Sequence, residues 1–133
     1  MVGIVVVSHS ERAAEGIAEI AAEMAGDTRI EPVGGDGKGG IGTVPDAIED
    51  AIDAAAGGSD DAADADGVVV LVDLGSAVMN ADVAVELSDA EAVIADAPVL
   101  EGAVNAAVAA TDPSATVESV REQAEAARDI EKL

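Results

Sequence analysis

Residues 3–7, GIVVV, form a short unbroken apolar run, the pattern of a strand buried on both faces. Over 11–25 the period changes. Ile17, Ile20, Ala21 and Met24 recur at helical spacing, which predicts an amphipathic helix with those residues inward. Glu11, Glu15, Glu19 and Glu23 line another face of it, and Gly26 is a natural stop. TRIEPV (28–33) alternates weakly and reads as an edge strand. A stretch GGDGKGGIGT (34–43) follows; six of its ten residues are glycine, so it is a loop with wide backbone freedom.

Thr43 and Asp46 suggest a T-x-x-D cap on a second helix, whose stripe is Ile48, Ala51, Ile52 and Ala55. The acidic segment 57–66 reads as a solvated surface connection. GVVVLVDLGSA (67–77) is the strongest strand signal; it ends at Asp73 and turns at Gly75 and Ser76 into a helix over 77–87. A short strand is expected at 92–96, and a helix at 98–110 with Pro98 in its first turn. A closing helix spans 116–128, with Val117, Val120, Ala124 and Ala127 on one side. Strands alternating with helices predict one α/β domain over 1–133. Its sheet is doubly wound and mainly parallel, of four to five strands with helices on both faces, and its crossovers are right-handed.

Composition narrows the chemistry. The chain has 133 residues and neither cysteine nor any aromatic of the Phe, Tyr or Trp type. Its core is therefore aliphatic, and thiolate chemistry and disulfides are excluded. No apolar run has the length of a membrane span and no signal peptide is evident, so a cytoplasmic protein is expected. Against 28 acidic residues stand only six Lys and Arg, for a formal net charge of −22. Such a balance argues against nucleic acid as a partner. The acids are spread among periodic apolar positions, unlike a disordered tail. They suit a halophilic surface, since at molar salt the Debye length is about 3 Å and carboxylate repulsion is screened.

His9, the sole histidine, falls just past the first strand, and Asp73 at the end of the third. In open α/β sheets chemistry gathers at the carboxyl ends of strands. If those two strands are neighbours, Asp73 can accept a hydrogen bond from one ring nitrogen and leave the other's lone pair free. Ser10, Gly42 with Thr43, and Gly75 with Ser76 each precede a helix, where backbone N–H groups and the helix dipole favour an anion. The reading is a phosphoryl-accepting His9, oriented by Asp73 and surrounded by phosphate-binding Ser10, Gly42, Thr43, Gly75 and Ser76. Ser8 and Ser10 could be caps or ligands. A Ser-His-Asp hydrolase lacks a G-x-S-x-G elbow, and a histidine metal site lacks a second histidine.

The segments IVVVSHSER, GGIGT, VLVDLGSAVMNA and APVLEGA, in this order and spacing, resemble the DhaM family over about residues 1–128. These are the phosphotransferase subunits of phosphoenolpyruvate-dependent dihydroxyacetone kinases, whose domain is similar to mannose-type IIA domains of the sugar phosphotransferase system. The resemblance implies that His9 is phosphorylated by the phosphocarrier HPr and that Asp73 orients it, with the phosphoryl group on the ring nitrogen remote from Asp73. It implies transfer to ADP held on a partner subunit, DhaL. The regenerated ATP then serves dihydroxyacetone bound by DhaK, and no cofactor is held by this chain itself. It also implies a homodimer, and HPr and enzyme I as separate donors instead of fused domains. Three rivals share parts of the pattern: a IIA component of a mannose- or fructose-type sugar permease, a small metal chelatase, and a binding module whose histidine is never phosphorylated.

Overall fold

The computed structural model describes residues 1–57 and 65–133; most of the acidic connection expected at 57–66, namely 58–64, lies outside the described residues. Strand β1 (Val2–Ser8) is buried along its whole length. It is followed by α1 (Glu11–Ala22), β2 (Ile30–Gly34), α2 (Pro45–Ala55), β3 (Gly67–Val72), α3 (Val78–Leu87), β4 (Ala92–Ile94), α4 (Val99–Ala110) and α5 (Val117–Glu125). A short 3₁₀ turn, Gly75–Ala77, leads into α3, and another, Ala126–Asp129, extends α5. The sheet is four-stranded and parallel in the order β2-β1-β3-β4. The two most apolar runs thus pair with each other at its centre, and the weakly patterned 30–34 segment takes an edge.

Strand alternation divides the core into two layers. Val2, Ile4 and Val6 of β1, with Val69 and Leu71 of β3, face α1, α4 and α5. Val5 and Val7, with Val68 and Val70, face α2 and α3. The helices meet the sheet largely through alanines: Ala14 and Ala21, Ala103, Ala106 and Ala107, Ala81 and Ala84. Small side chains let helix and sheet backbones approach closely, so a core without aromatics still fills.

The stripes expected on α2 and on the closing helix are buried as read: Ile48, Ala51, Ile52 and Ala55, and Val117, Val120, Ala124 and Ala127. The stripe expected on the first helix is corrected. Ala14, Ala18, Ala21 and Ala25 are the inward residues, Ile17 is at the boundary, and Ile20 and Met24 are 51% and 53% exposed. The sequence pattern follows the larger side chains, whereas close packing selects the neighbouring row of small ones. Pro98 is the N-cap of α4, one residue before the first turn. The glutamate stripe at 11, 15, 19 and 23 is solvent-exposed.

The Gly-rich loop is ordered by its own chemistry. Gly35, Gly37, Gly39 and Gly42 take positive φ, where a side chain is strained. The Asp36 carboxylate accepts the amides of Lys38 (2.7 Å) and Gly40 (2.9 Å). The expected Thr43 cap is a second correction. The N-cap of α2 is Val44, with no side-chain cap bond, and Pro45 opens the helix. Proline's fixed φ starts the helix without a cap, and the Thr43 hydroxyl accepts the Asn80 amide instead (2.7 Å).

Candidate active site

Chain order places β2 on one side of β1 and β3 on the other, so the carboxyl ends of β1 and β3 form the topological switch point. Val7 pairs with Val72, and the next residues carry the chemistry. His9 Nδ1 lies 2.9 Å from Asp73 Oδ1. The His9 backbone N–H (3.0 Å) and the Ser8 hydroxyl (2.9 Å) both donate to Asp73 Oδ2. One carboxylate therefore grips the imidazole and the backbone of the same residue, which fixes the ring against its own main chain.

Ser8 is 2% exposed. Its oxygen also accepts the Ser10 amide at 3.1 Å, tying Asp73 to the start of α1. Gly34, at the end of β2, is packed so closely that a Cβ would sit 2.5 Å from the Ser8 carbonyl oxygen and 2.8 Å from that of Ser10. Only glycine lets the edge strand close on this turn.

Burial pushes the Asp73 carboxyl up. The hydrogen bonds from the His9 amide, the His9 ring and the Ser8 hydroxyl, together with attraction to the imidazole, outweigh it and hold the carboxyl below its usual range. An ionised carboxylate only accepts hydrogen bonds, so Nδ1 carries a proton, and whenever the ring holds a single proton the lone pair is on Nε2. The His9 and Asp73 side chains are about one-fifth exposed, so the ring is supported yet reachable. Nε2 is 2.9 Å from the Ser76 hydroxyl, at the turn that opens α3. The arrangement holds one ring nitrogen on a carboxylate and presents the other to a helix start, where it can serve as a nucleophile.

The other expected site residues divide by position. Gly42 is brought directly to His9, its N–H donating to the His9 carbonyl at 2.8 Å. Thr43 follows it and is clamped to α3 by Asn80, through Oγ1 and its carbonyl. Gly75 and Ser76 stand on the same rim as Nε2, and the space beside Gly75 is open. Ser10 caps α1, its hydroxyl accepting the Ala13 amide at 3.2 Å, so its side-chain oxygen is already engaged. Two contributors escaped the sequence reading: Ser8 as the buried link behind Asp73, and Asn80 as the clamp between α3 and the Gly-rich loop. Both lay inside motifs already in view, SHS and SAVMNA, but pairings across more than thirty positions leave no periodic trace.

Residues 3–121 match the family model described as the PTS system fructose IIA component. The chain belongs to that family of phosphotransferase-system IIA domains. More particularly, it is similar to DhaM proteins. It is 37% identical to the PTS-dependent dihydroxyacetone kinase phosphotransferase subunit DhaM of Lactococcus lactis subsp. lactis, over 92% of this chain and 93% of that one. It is 40% identical to the phosphoryl donor subunit DhaM of the PEP-dependent dihydroxyacetone kinase 1 of Listeria innocua, over 76% and 75%. Among solved structures it resembles that of the unknown-function protein EF1359, with a TM-score of 0.75 and 29% identity over 93% of this chain and 92% of the other. Among the described residues, no helix is long and apolar enough to cross a membrane.

Proposed function

We propose that this chain is the phosphoryl donor subunit of a phosphoenolpyruvate-dependent dihydroxyacetone kinase. His9 Nε2 attacks the phosphorus of phosphorylated HPr; an N–P bond forms as the bond to the carrier breaks. Nδ1 keeps its proton on Asp73 throughout, so the carboxylate offsets the positive charge that develops on the ring. The Ser76 hydroxyl, which donates to Nε2 at rest, turns to a phosphoryl oxygen. The amides at the starts of α2 and α3, with Thr43, Gly75 and Ser76, receive the remaining oxygens, and Ser10 adds its hydroxyl hydrogen; Gly42, whose N–H is held by the His9 carbonyl, fixes the loop against His9. Such transfer needs in-line positioning and charge stabilisation more than covalent machinery.

The phosphoryl group then passes to ADP bound on DhaL, and the ATP formed there phosphorylates dihydroxyacetone on DhaK. This chain holds no nucleotide of its own, works in the cytoplasm and acts as a homodimer. The observation that carries the reading is the His9–Asp73 pair with Nε2 facing Ser76. The DhaM names of the curated relatives favour it over a sugar-permease IIA component, which the family description by itself would equally suit.

The test is a relay from labelled phosphoenolpyruvate through enzyme I and HPr to this protein, then to either DhaL–ADP or a permease IIB domain. Label reaching ATP, and not IIB, supports the reading; label reaching only IIB replaces it with the permease one.

A further inference from the structure

We propose that Arg12 and Lys38 form a cationic flank beside His9 that receives the phosphate chain of the nucleoside diphosphate acceptor during transfer. This rests on the functional reading above and adds the contact that admits the acceptor.

In a chain with 28 acids and six Lys and Arg, a cation has every opportunity to pair. Arg121, Arg128 and Lys132 do so, with Glu118, Asp96 and Glu101. Arg29 is engaged as well. Arg12 and Lys38 are the exceptions: among the described residues, no carboxylate lies within 4.0 Å of either. For Lys38 the nearest acid in sequence is spent elsewhere, since Asp36 bonds the Lys38 and Gly40 amides and leaves the ammonium alone. Arg12 sits in the first turn of α1, where the helix dipole disfavours a cation. Glu15, one turn on, does not hold it.

Arg12 lines a cleft of about 420 Å³ with Ser10, Glu11, Gly37, Gly39 and Ile41 among others; Lys38 is not itself a lining residue, but it stands in the chain between two of those glycines, at the rim of the same loop. Ser10 follows His9 directly, and Ile41 precedes the Gly42 whose amide bonds the His9 carbonyl. The cleft therefore abuts the backbone of the reactive histidine. Transfer to a nucleoside diphosphate brings a phosphorylated imidazole against a second polyanion, on a protein of charge −22. Two cations held without carboxylate partners match that requirement: a β-phosphate oxygen attacks phosphorus, the N–P bond to Nε2 breaks, and the lone pair returns to Nε2. Uptake of phosphate by His9 brings only one phosphoryl group to the site and depends on them less.

The experiment compares wild type with the double variant Arg12→Gln/Lys38→Gln in two single-turnover steps, phosphorylation of His9 by phospho-HPr and delivery to DhaL–ADP. Delivery should fall at least tenfold, and by more than uptake. The charge-conserving Arg12→Lys/Lys38→Arg variant should restore delivery to within about threefold of wild type, separating lost charge from a disturbed loop. A smaller fall, an equal fall in both steps, or failure of the conserving variant to restore delivery overturns the proposal. Wild-type protein that takes up phosphate but delivers none to DhaL–ADP instead overturns the functional reading, and the flank with it.

Discussion

Two clefts of nearly equal size occupy opposite ends of the same sheet. The one at the amino end, about 400 Å³, is bounded by Met1, Gly26, Thr28, Thr111 and Pro113. The one at the carboxyl end, about 410 Å³, includes Asp73, Leu74, Gly75 and Val78. Volume does not distinguish them; polarity does. Helices α1 and α4 end at the amino-end cleft, at Ala22 and Ala110, and so direct carbonyls and negative dipole ends toward it. Helices α1, α2 and α3 begin at the other end, around His9, and direct amides toward it. Although α5 begins at the amino end, with Val117 beside Gly67, the parallel sheet gathers the starts of its crossover helices at the carboxyl end. The imidazole and its carboxylate stand at that end.

The comparison breaks most readily at Asp73. Asp73→Asn keeps the shape but offers Nδ1 an amide donor, which favours the proton on Nε2 and occupies the lone pair needed for attack. By analogy with a wrong-tautomer histidine, phosphorylation of His9 should slow by about 10²–10⁴-fold, read by rapid-quench kinetics with the circular dichroism spectrum unchanged.

The same carboxylate gives a pH signature. Burial raises the Asp73 carboxyl, but its hydrogen bonds hold it lower overall. Its contribution to stability is then complete above the ordinary Asp value of about 3.9, and is lost as pH falls through the lower folded value. In urea melts, the stability that wild type gains over Asp73→Asn should diminish as pH is lowered below about pH 4. A difference that stays constant through that acid range would assign the stabilisation to another group.

Ser76→Ala removes one hydrogen bond to Nε2. At about 0.5–1.5 kcal/mol for such a bond, phosphorylation should slow by roughly two- to tenfold in the same rapid-quench assay. The smallest effect belongs to the amino end. Thr111→Ala removes only a hydroxyl bond to the Val108 carbonyl and should leave phosphorylation within about twofold of wild type, while changing stability by about 1 kcal/mol or less. A large loss of phosphorylation there would show that the two ends are coupled.

Much of this organisation was legible in the sequence because it rests on local pattern. Unbroken apolar runs identified β1 and β3, and their ends located His9 and Asp73. The stripes of α2 and α5 were read residue by residue, since Ile and Val there are the residues that pack. The first helix was misread at Ile20 and Met24 because hydrophobicity favours large side chains, while the sheet accepts the alanine row beside them. Thr43 was taken for a cap because capping is local, whereas its partner, Asn80, comes from α3. Ser8 was read only as a cap or a ligand; its importance lies in a bond to Asp73, sixty-five positions away.

In the proposed function Asp73 commits Nδ1 and leaves Nε2 to carry the phosphoryl group. Nuclear magnetic resonance of ¹⁵N-histidine-labelled protein, phosphorylated by enzyme I and HPr, tests it through ³¹P–¹⁵N coupling. One acid-labile phosphate is expected on Nε2 of His9 and none in His9→Gln. Phosphate on Nδ1, or an undiminished yield in the variant, would contradict it.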